Sequence, residues 1–527
     1  MNKYLAEISA IARKAVSKKD WATVAAGARE ILKRDSLSPE GYFLSGLVER
    51  ASRRPIKAVE AFEKALDLDA DRYDAAIELA FQHGVARRNG DAAALVAKYE
   101  EKLGNSPLYL NMAGTVYSEI GMPERSWPLF QKANELQPGV DVIQANVAAC
   151  AVYLGKIEEA KHILKRLLER SPNHQGNHYQ LARLEKATDT KHIEQMKEVL
   201  RSTNMSPDNN IFMYYAIGKE LEDLEEWEEA FSYFKMAGDA ATSVADYDIN
   251  TDLQLIDKIM EVCDADWLAE GANDAPRDVS GKTPIFLVGL PRSGTTLTER
   301  IISCHSKVAS VGETQFMQMV LRRESGVKSR EKITPAMIEA GTKLDIRIIG
   351  DGYMDMLKYR LGDEPMFVDK LPFNIFYLGF ITKAYPNARI IHMKRNPMDN
   401  CFAMYKQVFT WAYKFSYTLE GLGRFYVAYE RLLDHWHATL NDRLIELEYE
   451  SLVADQDGQT RKLLDELGLD FEEACLNFDE NVSPTATASS VQVREKIHTR
   501  SVHRWKNYAN QLQPLKEYLE NAGIVVE

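Results

Sequence analysis

Cysteine, basic charge and long apolar runs are all in short supply here, and each shortage removes a class of protein. Five cysteines, Cys150, Cys263, Cys304, Cys401 and Cys475, are scattered over 527 residues, and none forms a C-x-x-C pair. Their odd number and wide spacing predict reduced thiols in a cytoplasmic protein, with no disulfide framework and no zinc site. Lys and Arg number 65 against 78 Asp and Glu, a formal charge of −13. That argues against a nucleic-acid partner, because nonspecific binding needs a basic footprint. No run of about 18 uncharged apolar residues occurs, so no transmembrane segment is predicted. The opening stretch, MNKYLAEISAIARKAVSKKDW, is amphipathic and charged and lacks a signal-peptide core. What is left, 45% hydrophobic and 27% charged, is the profile of a folded globular chain long enough for two domains.

The first half is periodic. Small residues recur every 34 positions at Ala12, Gly46, Ala80, Gly114, Ala148 and Ala182, which is the tetratricopeptide period. Twelve positions after the first five lie Val24, Ala58, Ala92, Ser126 and Ala160, where a second helix needs room. Phe62 and Phe130, then Ala65 and Ala133, complete two of these units, and Pro138 and Pro172 close theirs. A helix hairpin cannot bury its apolar face alone, so such units must stack. The unit that starts at Ala182 decays, with Glu194 where a small residue belongs, and another returns out of phase at Gly218, Ala230, Phe234 and Ala237. The expectation is an α-solenoid over 1–265, a linker rich in Asp, Gly, Ala and Pro over 266–283, and a different domain over 284–527. The solenoid offers either a concave surface for a protein or peptide partner, or a scaffold that packs on the second domain or makes a homodimer.

The texture changes at Pro284. PIFLVGL reads as a buried parallel strand, PRSGTT as a loop and LTERIISCH as a helix. Strand, glycine loop and helix together bind phosphate through backbone N–H groups. Gly289 and Gly294 keep the spacing of the ATP loop G-x-x-x-x-G-K-[ST], but Thr295 stands where its lysine should be, followed by Thr296. Arg292 offers a fork of donors within the loop instead. A nucleotide with one 5′-phosphate-linked group suits this loop better than a triphosphate. A second strand, Ala388 to Lys394, delivers Arg395 to another helix start, with Asn396 as the cap and Pro397 at the first helical position. Two anion sites on one parallel sheet match a ligand with two separated phosphates.

These segments resemble a known family. PRSGTTL with a downstream GET, then DKLPFN, YPNARIIHMKRNPMDNCF and TASSVQVR…W, look like the sulfotransferases that use 3′-phosphoadenosine 5′-phosphosulfate (PAPS). The match is to the bacterial group with N-terminal tetratricopeptide repeats, related to tyrosylprotein sulfotransferases. The resemblance implies a three-layer α/β, P-loop-like domain with a central parallel sheet. PIFLVGL, MFVDK, ARIIHMK and LIELEYE supply its main strands, with the donor at their carboxyl ends.

The resemblance also implies roles. Pro291, Arg292, Ser293, Gly294, Thr295, Thr296 and Leu297 hold the 5′-phosphosulfate, and Arg395 holds the 3′-phosphate. The family often has a serine eight residues after that arginine. Here it is Ala403, and Arg494 is the expected substitute. Sulfuryl transfer, like phosphoryl transfer, is an in-line displacement that needs positioning and charge neutralisation. Glu313, after a short strand at 307–311, is the expected base, against a bland role as a helix-capping acid. Lys370 and Arg292 are the expected stabilisers of the leaving phosphate and sulfuryl oxygens, against a simple Lys370–Asp369 salt bridge. Ser489, or second to it Ser490, is the expected hydroxyl donor. No metal is required. His392 reads as a buried hydrogen-bonded residue, His305 as a helix end and Cys401 as core.

The acceptor is less legible. Arg322, Arg323, Lys328, Arg330 and Lys332 make one loop basic in an acidic chain. It reads either as a solvated surface or as an attractor for an acidic peptide carrying a tyrosine. A protein or peptide tyrosine is the first expectation, with a carbohydrate or lipid hydroxyl as the alternative. Two rivals from other classes are a repeat-based adaptor with a nucleotide-binding but inactive second domain, and a P-loop kinase.

Overall fold

Small side chains set the course of the first helices. In the computed structural model, which describes residues 3–203, 205–270, 281–409, 412–481, 483–484 and 492–526, the chain divides into two compact units, Met1–Leu154 and Gly155–Glu527. The first is made of hairpins: Lys3–Ser17 with Trp21–Arg34, Pro39–Ala51 with Pro55–Leu68, Tyr73–Val85 with Asn89–Tyr99, and Pro107–Glu119 with Pro123–Leu136, then Asp141–Tyr153. Ala12, Ala58, Ala80, Ala92 and Ser126 have no exposed surface. A Cβ on Gly46 would stand 2.4 Å from the Phe62 ring, so the paired helices close there only on a residue without a side chain. A second 34-residue series sits in the turns between paired helices, where Lys19, Arg53, Arg87 and Gly121 all take positive φ, from 56° to 80°.

The second unit begins with further helices of the series: Ile157–Arg170, Gln175–Leu184, Lys191–Thr203, Ile211–Asp223, Trp227–Val244 and Ile249–Val262. The decay at Glu194 is a rotation. Lys191–Thr203 buries Ile193 and Met196, one position ahead of where Ala160 and Ile163 would map 34 residues on, and Glu194 turns to solvent. The out-of-phase hairpin forms as expected, with Gly218 closing on Phe234, whose ring would lie 2.7 Å from an added Cβ.

One five-stranded parallel sheet follows. Its strands are β1 (Thr283–Gly289), β2 (Val308–Gly312), β3 (Met366–Asp369), β4 (Arg389–Lys394) and β5 (Leu444–Glu448), in the order β2-β3-β1-β4-β5. Ile285, Phe286, Leu287 and Val288 are fully buried, as a strand covered on both faces requires. Their side chains alternate between two cores. Phe286, Val288 and Ile390 pack with the repeat helices and with Leu419–Leu440, while Ile285, Leu287 and Ile391 pack with Thr295–Ser303 and Gln456–Leu467. The expected three layers are present. The chain leaves β1 toward β2 and β3, then returns past β1 to β4 and β5. The loops after β1 and β4 therefore part to opposite faces, and that divergence makes a crevice for ligands.

The compact division does not fall in the predicted linker. Most of that linker, 271–280, lies outside the described residues. Helices Ile211–Asp223, Trp227–Val244 and Ile249–Val262 share a continuous core with the sheet, and Trp267 Nε1 donates to Thr342 O at 3.0 Å. The reason is burial: these late helices cover one face of the sheet. Among the described residues no helix is long and apolar enough to cross a membrane.

Candidate active site

Four neighbouring strands each end in one of the expected groups. Glu313 follows β2, Lys370 follows β3, Arg292 lies three residues past β1, and Arg395 follows β4. All are at the carboxyl ends of the strands.

The β1 loop is held by what lies beneath it. Arg292 and Gly294 take φ of 67° and 113°. A Cβ on Gly294 would stand 2.7 Å from the Tyr449 ring and 2.9 Å from Met393 Cε, so only glycine fits the helix start. Asn400 Nδ2 donates to Pro291 O at 2.9 Å. Arg395 Nη1 donates to Arg292 O at 2.7 Å and Nη2 to Ser501 O at 2.7 Å, with the guanidinium 4.7 Å from the Tyr449 ring centroid. Asn396 Oδ1 caps its helix, accepting from Met398 N and Asp399 N at 3.1 Å each. The second turn thus braces the first.

Helix Thr295–Ser303 aims its first N–H groups at the loop, its first intrahelical bond running from Thr298 N to Gly294 O. Ser293 Oγ and Arg395 Nε are buried there with no hydrogen-bond partner among the described residues. Unpaired buried donors are costly, and both suit an anionic oxygen. Burial first, then the nearby charges of Arg395 and Arg183, push the Arg292 guanidinium down to about 10. An anion in the loop would relieve all three effects.

Lys370 has no exposed surface. Its Nζ lies 2.5 Å from Glu313 Oε1 and 3.7 Å from Glu299 Oε2. Burial alone would lower its proton affinity, but the two carboxylates override this and raise it. Ser310 Oγ donates to Glu299 at 2.6 Å. Glu313 is the outward member of the set, 40% exposed, so its carboxylate can meet an incoming hydroxyl. The bland Lys370–Asp369 pair does not form. Successive strand residues point to opposite faces, and Asp369 instead accepts from Thr314, Tyr353 and Asn374 at 2.5, 2.6 and 3.1 Å.

Other expectations resolve plainly. His392 is buried between Glu446 at 2.8 Å and Tyr429 at 2.5 Å. His305 sits just past its helix, bonded to Asp470 O at 2.9 Å, and Cys401 is core. Ser489 and Ser490 lie outside the described residues. Arg494 stands beside Arg300, with Gly155 against its guanidinium and Ser483 O 3.5 Å from Nη2. A cavity of about 920 Å³ opens at the far end of the sheet, beside the first residues of β1, β3, β4 and β5. It contains none of these groups and lies at the wrong end for a ligand of an open α/β sheet.

Residues 284–473 match the model of the sulfotransferase family, and residues 39–72 match a tetratricopeptide repeat. The chain carries a sulfotransferase-family domain. An uncharacterized protein of Aquifex aeolicus is 27% identical over 80% of this chain and 56% of its own length. Protein-tyrosine sulfotransferase A of Caenorhabditis elegans is 21% identical over 42% of this chain and 60% of its own length. The chain thus spans little more than half the length of these curated relatives. Among solved structures, the sulfotransferase domain from the Synechococcus PCC 7002 olefin synthase is 20% identical over 48% of this chain and 98% of its own, with a TM-score of 0.33.

Several parts of this sulfotransferase domain escape a motif reading. Glu299 is hidden in an ordinary helix, one turn past the loop. Asn400 and Tyr449 act by bracing. Asp399 takes His503 N at 2.5 Å and Trp505 N at 2.9 Å, fixing the segment that brings Ser501 to Arg395. The signal for Asn400 and Asp399 is their place, as polar residues just inside a helix that follows a cationic turn.

Proposed function

We propose that the protein transfers a sulfuryl group from PAPS to a hydroxyl acceptor, most directly a tyrosine of a protein or peptide. The observation that carries this reading is the row of strand ends: the β1 loop and Arg395 joined at 2.7 Å, beside a Lys370–Glu313 pair at 2.5 Å. In this reading the loop from Pro291 to Leu297 takes the 5′-phosphosulfate and Arg395 the 3′-phosphate. Glu313 accepts the acceptor's proton as its oxygen attacks sulfur. The bond from sulfur to the bridging oxygen breaks, and the electron pair leaves on adenosine 3′,5′-bisphosphate. Lys370 and Arg292 neutralise that leaving group.

Two features support an aromatic acceptor. The half-buried rings of Phe373 and Phe409 meet Tyr413 edge-on at 4.7 and 5.0 Å, and Tyr413 is near enough to Glu313 that burial first, then this carboxylate, raises its phenol. Flat rings of this kind favour another flat ring. The basic loop has one internal ion pair, Arg323 with Glu324 at 2.5 Å, and its exposed charge suits an acidic peptide.

The test is incubation with radiolabelled PAPS and three acceptors in parallel: a tyrosine peptide flanked by acidic residues, a saccharide and a hydroxylated lipid. Label on the peptide supports the full reading. Label on sugar or lipid keeps the sulfotransferase and removes the tyrosine. Tight binding of bisphosphate with no transfer to any acceptor favours the inactive adaptor, for which Ala403 speaks.

A further inference from the structure

The segment Ser501–Trp505 is tied down at both ends and in the middle. Ser501 O takes Arg395 Nη2 at 2.7 Å. Two residues on, His503 turns the chain with φ of 57°. Asp399 then receives His503 N at 2.5 Å and Trp505 N at 2.9 Å. Asp399 belongs to the helix Pro397–Tyr405, so the segment is fixed to the helix that Arg395 precedes. Arg504, between those two N–H groups, carries a tie to the repeat helices. Its Nε lies 3.1 Å from Glu222 Oε1, and its guanidinium stands over the Trp227 ring, 5.5 Å from the centroid. Glu222 belongs to Ile211–Asp223 and Trp227 to Trp227–Val244. The same carboxylate takes Lys406 Nζ at 2.6 and 2.9 Å, at the far end of helix Pro397–Tyr405, and the Tyr508 hydroxyl at 3.2 Å. One buried glutamate of the array therefore grips both the segment and the helix.

Arg395 is aimed by carbonyls. Its Nη1 and Nη2 donate to Arg292 O and Ser501 O, which set its direction and leave its charge for a ligand. A carbonyl can aim a guanidinium only while its own backbone is held. A left-handed turn at a residue with a side chain persists only where the surroundings over-determine it. Asp399 holds this turn from one side. The Glu222–Arg504 pair holds it from the other, and with its glutamate buried it is felt more strongly than a surface ion pair.

We infer that Glu222 and Arg504 are positioning residues of the donor site: through them the repeat array holds the Ser501 carbonyl where it aims Arg395 at the 3′-phosphate. The inference rests on the sulfotransferase reading above, and the experiment separates the two.

Calorimetry of the full chain compares adenosine 3′,5′-bisphosphate with adenosine 5′-phosphate, which lacks the 3′-phosphate. The variants are Arg504→Gln, Arg504→Lys, Glu222→Gln, Arg395→Gln and the double variant Arg504→Gln/Arg395→Gln. Arg431→Gln is the control, since it breaks another ion pair to a repeat helix, Arg431 with Asp257 at 2.9 Å. Arg504→Gln, which leaves Glu222 paired with Lys406, is expected to weaken the bisphosphate about tenfold. Adenosine 5′-phosphate should stay within about twofold of wild type. Glu222→Gln should lose the same discrimination, Arg504→Lys should recover most of it, and Arg431→Gln should keep it. In the Arg395→Gln background, Arg504→Gln should cost less than about twofold more, because the two act through one contact. Equal weakening of both nucleotides, or a full tenfold loss persisting without Arg395, makes the pair mere packing and overturns the inference. Wild-type affinity in Arg504→Gln beside a weakened Arg395→Gln also overturns it and leaves the donor site standing. A wild-type chain that ignores the bisphosphate overturns the reading beneath.

Discussion

An ammonium taken wholly out of water is costly unless carboxylates surround it, and Lys370 meets that condition through Glu313 and Glu299. Glu313 therefore has two jobs, proton acceptor and ion partner, which one substitution can separate. Glu313→Gln keeps an oxygen for Lys370 but cannot take a proton. Sulfate transfer should fall at least about 100-fold, while calorimetry shows bisphosphate affinity within about threefold of wild type. Equal loss of both would make the glutamate structural. Asp369 offers a pH test. Burial pushes its carboxyl up to about 6, against the ordinary 3.8, despite donation from Thr314 and Tyr353. The folded state thus holds a proton that the unfolded state has released between pH 4 and 6, so this group costs stability as pH rises through that window. His178 has the opposite sign: burial lowers it to about 4, so its contribution improves as pH rises from 4 to 6.5. Because the two oppose, the wild-type profile hides both. Denaturant melts of Asp369→Asn against wild type should show the variant gaining about 2–3 kcal/mol relative to wild type from pH 4 to pH 6. Parallel profiles would remove the claim.

The hairpins of the first unit are governed by two positions each, one at the helix crossing and one in the turn. Gly46→Ala should raise helix propensity by about 1 kcal/mol, yet its Cβ would collide with the Phe62 ring, an overpacking cost of about 1–3 kcal/mol. Net destabilisation is expected in thermal melts, and Phe62→Leu should rescue it in the double variant. Additive losses would mean the ring is not the obstacle. The crossing series was open to reading because an interval of 34 leaves a visible trace of small residues. The turn series was hidden, since Lys19, Arg53 and Arg87 give no compositional sign of a left-handed backbone. The same contrast holds in the sheet domain. β1 is a short apolar run and β4 a buried run interrupted by His392, both lying between two cores, and the loops after them have glycine and cation spacings that chemistry makes recognisable. The side to which Asp369 turns follows from strand parity and could have been read. Where Arg494 falls could not, because the path of 492–505 is set by distant contacts such as Asp399 with His503.

The second unit is bound together by charge as well as apolar packing. Glu222, from a repeat helix, meets Lys406, Arg504 and the Tyr508 hydroxyl, and residues from Tyr179 to Val526 share one core. A fragment beginning at residue 284 would expose the sheet face that these helices cover. It should be insoluble or lack a cooperative melt, whereas 155–527 should melt cooperatively and bind the bisphosphate. Equal behaviour of the two fragments would restore the predicted linker as the true boundary. One consequence reaches beyond this chain. Because the late hairpins double as a wall of the sheet domain, insertion or loss of a 34-residue unit is tolerable only ahead of Gly155. Relatives should therefore differ in how many hairpins precede that point and keep the helices after it constant in number, so that the array can lengthen from one end without disturbing the chemistry at the other.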